Sequence, residues 1–186
     1  AGAAAGIMNR TPVNEAAGLL RSMPAARRDE ILGRMHRTRQ VQVGLVLRQP
    51  SMSVGAWMDS AAAPSRTSSP VGDVKKRLVE TPVSYSRVYV IDDTLAYAGS
   101  VPVSAVLAAD DNVPLERIYE PGGPRLRAGT EIAQAISDSG WQSHDQLPVV
   151  DRTGKFVGAI RYSILRSALT KLEKQPLEAA RPPGAS

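Results

Sequence analysis

Two short stretches repeat the same corner, "GSVPVSAVL" from Gly99 to Leu107 and "GAIRYSILR" from Gly158 to Arg166. Each puts a glycine where an apolar run turns into a helical pattern, and the mouth of a helix favours anions. Yet both corners are short of polar groups where a ligand needs them. Other chemistry is sparse. The chain has no cysteine, which removes disulfides, thiolate metal sites and thiol nucleophiles together. The two histidines, His36 and His144, lie far apart, and His144 beside Asp145 reads as a surface pair. There is no Gly-rich phosphate loop, HExxH or GxSxG, so the chain is expected not to be an enzyme.

Arginine is the one concentrated side chain. The net charge is +5, and residues 1–50 carry the whole excess, with eight arginines against Glu15, Asp29 and Glu30. The rest is balanced. A cationic face built from Arg21, Arg27, Arg28 and Arg34 is therefore an alternative route to nucleic acid. The turn between these residues lacks a helix-turn-helix signature, and such a run is more often a solvated face, so nucleic acid is disfavoured as a partner.

These groups must be positioned by a chain of globular composition, 42% hydrophobic and 22% charged. Residues 1–12, opening "AGAAAG", read as disordered or as a remnant of cloning. Residues 13–23 and 25–36 space their apolar residues as two amphipathic helices around Pro24, with Asn14 as a cap. "VQVGLVL" at 41–47 is an apolar connector, followed by a bend into a short helix near Asp59. From there the pattern becomes helix, strand, strand, helix, twice. The tail, residues 175–186, reads as disordered for its Pro and Gly. No apolar run reaches 18 residues, so no membrane span is expected; the lack of cysteine fits a reducing compartment, and the cytoplasm is the expected location.

A fixed shift of 59 residues lays Val88–Leu107 on Leu147–Arg166 without a gap. Asp92 falls on Asp151, Thr94 on Thr153, Tyr97 on Phe156, Gly99 on Gly158 and Ser104 on Ser163. An apolar strand, Asp, a turn, a second strand, Gly and a helix in one register point to two pseudo-symmetric halves.

"VYVIDDTLAYAGSVPVSAVL" and "LPVVDRTGKFVGAIRYSILRSAL" resemble the cystathionine-β-synthase (CBS) domain, and two in tandem resemble a CBS pair. The resemblance implies an α/β (α+β) fold of two βαββα-type units, 58–112 and 113–174, behind an α-helical segment at 13–57. "AAGLLRSMPAARRDEILGRM" and "SVGAWMD" resemble the end of the N domain of MgtE-type magnesium transporters, whose cytosolic parts sense magnesium. The membrane part is absent, and the N-domain resemblance spans only residues 13–50. What is implied is a regulatory or sensory module without the pore. A homodimer through CBS faces is expected; the regulated partner, a transporter or an enzyme, is unknown. No cofactor is required; Mg2+ or an adenine nucleotide would be a regulatory ligand.

The family's nucleotide signature is Gly, a hydroxyl three residues on, and an acid three residues later. Here Gly99 is followed by Pro102 and Ala105, and Gly158 by Arg161 and Ile164. The side-chain roles are lost, so these junctions are expected to keep the fold without the ligand. The alternative is that Arg161 recognises phosphate in place of a hydroxyl. Magnesium needs clustered oxygen ligands. The candidates are Asp59, Asp92, Asp93, Asp110 and Asp111, although Asp92 also suits the turn it sits in. Three acids among eight arginines argue against a metal-drawn N-terminal face. Arg27 and Arg28 are instead expected to meet Asp110 and Asp111 by charge alone.

Overall fold

The computed structural model describes residues 2–80 and 86–179, with 172–179 as backbone only. Four helices come first: α1 (Gly2–Arg10), α2 (Val13–Arg21), α3 (Ala25–Gly33) and α4 (Arg37–Leu47). They enclose a core of their own, centred on Leu20, Ile31, Val43 and Val46. The expectation of disorder at residues 1–12 is corrected. Residues 2–10 are helical because Ala5 and Met8 are buried in that core. Pro12, not Asn14, stands at the start of α2, where its fixed φ suits the first turn and its missing N–H costs nothing. The apolar stretch at 41–47 is the body of α4 rather than a connector, with Val43 and Val46 turned inward.

The rest forms two matching halves. In the first, β1 (Ser65–Arg66) runs parallel to β2 (Arg87–Ile91), which pairs antiparallel with β3 (Tyr97–Pro102). Helices α5 (Val71–Glu80) and α6 (Val103–Ala108) cover one face, and β4 (Glu120–Pro121) adds the edge. The second repeats this with β5 (Leu126–Arg127), β6 (Gln146–Val150), β7 (Phe156–Arg161), α7 (Ile132–Ala135) and α8 (Tyr162–Ala179). Thus α8 covers part of the tail expected to be disordered, up to Ala179; residues 180–186 lie outside the described residues.

The halves exchange their entry segments. The 3-10 turn Val54–Ala56 precedes the first half in sequence, yet it docks on the second. Val54 donates to the Thr130 carbonyl at 2.9 Å and Gly55 to that of Ala128 at 2.8 Å. Val54 and Met58 lie in the core of the second half. Asp59 then bonds both ways to Ala159, at 2.7 and 3.1 Å. The mirror segment, Leu115–Arg117 with β4, serves the first half. There Leu115 donates to Ser69 at 3.0 Å and Glu116 to Thr67 at 2.9 Å. Sheet membership therefore does not follow a division at 112/113.

Between the halves the hairpins of β2–β3 and β6–β7 meet about a pseudo-twofold. Tyr97 donates to Gly154 at 3.0 Å and Phe156 to Leu95 at 3.1 Å. Leu95 and Gly154 occupy equivalent turn positions, with φ of 69° and 86°. Tyr89, Tyr97 and Phe156 pack against Ala62 and Ala159 beside this contact.

Candidate functional site

At the first corner Pro102 ends β3 and stands before α6, offering the helix no side-chain cap. Ala105 is half-buried and packs on the core of its half. Gly99 is required by close approach. A Cβ there would overlap the Glu120 carbonyl oxygen of the edge strand. Beside this corner lies a polar cluster that the sequence did not reveal. Arg87 Nε donates to Ser100 Oγ at 2.8 Å, and its Nη2 forms an ion pair with Glu120. Burial pushes the neighbouring Tyr97 hydroxyl up, against the pull of Ser100, Arg87 and Arg125. The residue types were legible; their convergence depends on Glu120 arriving from the exchanged segment.

The second corner has the same frame with other side chains. A Cβ on Gly158 would stand 2.7 Å from the Asp59 carbonyl oxygen and 3.1 Å from Met58 Sδ. Arg161 ends β7 half-buried, in register with the buried Gln146. Ile164 packs on the core of this half, and Tyr162 stacks at 5.2 Å on Trp141. Arg161 is therefore the one cation held at either of the four signature positions, next to a backbone that is locked to residue 59.

The five aspartates do not gather at one place. Asp92 Oδ1 accepts from Thr94 Oγ1 at 2.7 Å and from the N–H groups of Thr94 and Ala96 at 2.9 Å. The Thr94 hydroxyl, with these N–H groups, holds the carboxyl below its ordinary value. Asp151 does the same with Thr153 and Lys155. Burial alone would raise Asp151, but the hydrogen bonds outweigh it and the net direction is down. Asp93 pairs with Arg66 at 3.5 Å, and Asp111 with Lys75 at 2.7 Å, which lowers Asp111. Asp110 is exposed at the end of the same loop. Asp59 Oδ1 accepts from the Ala61 N–H, and its charge acts on Arg39, whose pKa is lowered by burial. No group of three or more acidic or histidine side chains converges among the described residues.

The arginines divide. Arg21 points inward and donates to the carbonyls of Val46 at 2.5 Å, Gln49 at 3.3 Å and Ala56 at 3.4 Å. It ties the end of α4 to the exchanged turn, a role that its place in a basic run conceals. Arg27 pairs with Glu30 and Arg28 with Asp29, both at 3.4 Å, and Arg34 with Glu30 at 3.3 Å. The expected meeting of Arg27 and Arg28 with Asp110 and Asp111 is thus replaced by local pairs. Among the described residues no helix is long and apolar enough to cross a membrane.

No family model matches the sequence. No curated protein matches it either. Solved structures do. The cytosolic domain of the Mg2+ channel MgtE in complex with ATP superposes with a TM-score of 0.79 at 18% identity, over 88% of this chain and 68% of that one. The soluble part of a magnesium transporter gives 0.79 at 14%, over 90% and 67%. CBSX2 in complex with AMP, a CBS-pair protein known from Arabidopsis thaliana, gives 0.54 at 25%, over 65% and 98%. The chain has the α+β fold of a CBS pair preceded by a helical segment, and it superposes on the cytosolic domain of MgtE over most of its length.

Proposed function

We propose that this chain is a non-catalytic regulatory module in which the second CBS unit senses a ligand and the N-terminal helices respond. The observation that carries this reading is the reciprocal pair of backbone hydrogen bonds between Asp59 and Ala159, one residue from Gly158 and two from Arg161. Whatever moves that corner moves residue 59. Ser60 Oγ in turn donates to the Gln42 carbonyl of α4 at 3.3 Å. The helices thus take their signal from the unit that lies farther along the chain. The module acts in the cytoplasm as a homodimer through its CBS faces, on a transporter or an enzyme.

The ligand is the second question. An adenine nucleotide is favoured at the second corner by the half-buried Arg161, and structural neighbours are complexes with ATP and AMP. The first corner, with Pro102 and Ala105, keeps the frame and not the ligand. Magnesium has less support, because the carboxylates are engaged in turns and local ion pairs. Nucleic acid loses Arg21 to its internal role.

Calorimetric titration of the full chain with AMP, ATP and Mg2+ tests this. The reading expects saturable nucleotide binding that Arg161→Ala weakens at least tenfold. Binding unchanged in that variant would refute the assignment to the second corner. Sedimentation at tens of micromolar would report a dimer; a monomer there would overturn the proposed assembly.

A further inference from the structure

The outward face of α8 differs from anything its twin presents. Ser163, Arg166, Ser167, Thr170 and Lys171 line an open cleft of about 440 Å3. All five are exposed, and they lie on the side of the helix away from Leu165 and Ala168, which fill the core. Among the described residues no carboxylate pairs with Arg166 or Lys171. Lys171 is held at 5.7 Å from the Trp57 ring, whose Nε1 is anchored on the Ser51 carbonyl. That contact leaves its N–H donors available. Thr170 Oγ1 donates to the Arg166 carbonyl, so the donors facing outward are Arg166, Lys171, Ser163 and Ser167.

The repeat supplies an internal control. On the twin helix, which ends at Ala108, the equivalent positions are Ser104, Leu107 and Ala108. Arg166 is replaced there by an apolar residue and Ser167 by alanine, and α6 stops before it could present a counterpart of Thr170 or Lys171. The fold therefore does not require the cationic, hydroxyl-rich face of α8. We infer that this face binds a phosphate-bearing anion, with Arg166 and Lys171 supplying charge and the two serines supplying hydrogen bonds. The site lies on the exposed face of α8, away from the buried Leu165 and Ala168, and does not use Arg161. A cleft this open, with two cations and two free hydroxyls at its edge, suits a small polyanion or a lipid headgroup rather than an enclosed apolar ligand.

The test is calorimetry of the full chain with inorganic pyrophosphate, beside flotation with phosphatidate vesicles. The variants are Arg166→Gln/Lys171→Gln, both exposed positions, and Arg152→Gln as a control cation on the β6–β7 turn. Saturable binding to either phosphate source, reduced at least tenfold in the double variant and unchanged in Arg152→Gln, is the expected result. The arm that responds identifies free or lipid phosphate. Arg161→Ala should leave this binding intact, which separates it from the nucleotide reading. No saturable binding in either arm, or an equal loss in Arg152→Gln, would overturn the inference.

Discussion

At the scale of single residues, Gly99 and Gly158 mark the corners for a reason other than ligand binding. Each makes room for a backbone carbonyl of the exchanged segment, Glu120 in one case and Asp59 in the other. Backbone does not yield as a flexible side chain does. Gly99→Ala and Gly158→Ala should each cost about 1–3 kcal/mol in urea denaturation, the usual cost of overfilling a packed site. The paired turns make a second prediction. Asp92 and Asp151 have depressed pKa values in the folded chain, so they contribute stability above the ordinary carboxylate range and lose it as pH falls through their folded values. Stability should therefore drop below about pH 4. In Asp92→Asn/Asp151→Asn, which keeps an acceptor for the turn, that drop should be shallower. An equally steep acid limb in the double variant would move its origin elsewhere.

Among the elements, the strands and corners of the repeat were legible in the sequence because their signals are local. Asp, turn, apolar strand and Gly recur at one spacing, and the turn chemistry of Asp92 with Thr94 returns in Asp151 with Thr153. Helix α4 was not legible, since its β-branched run "VQVGLVL" lacks a clean apolar stripe. Val43 and Val46 are buried while Val41 and Leu45 are exposed. It is helical because α2 packs along it and Arg21 satisfies carbonyls at its end. Arg21 was legible as charge only; its partners lie 25 to 35 residues away. Arg21→Ala should cost about 1.5–3 kcal/mol, the range for hydrogen bonds to a charged group. Denaturation would measure it, and Arg27→Ala, already paired on the surface, should cost under about 1 kcal/mol.

For the molecule as a whole, the exchange of entry segments decides what is connected to what. Chain order suggests that the helical segment serves the first CBS unit. Packing ties it to the second, through Val54 and Met58 in that unit's core and Asp59 on its edge. No local pattern encodes this, because Asp59 and Ala159 meet only when the whole pair is assembled. The candidate site was half legible for the same reason. Arg161 stood out against the signature, whereas the cluster of Arg87, Ser100 and Glu120 appears only after the exchange. The coupling from the second corner to the helices is tested most directly by hydrogen exchange on Gly158→Ala and Gly99→Ala. Gly158→Ala should speed exchange across residues 37–61 at least fivefold, and Gly99→Ala should instead loosen residues 115–122 and leave 37–61 unchanged. Unaltered exchange at 37–61 in Gly158→Ala, or the same acceleration there from Gly99→Ala, would contradict the coupling.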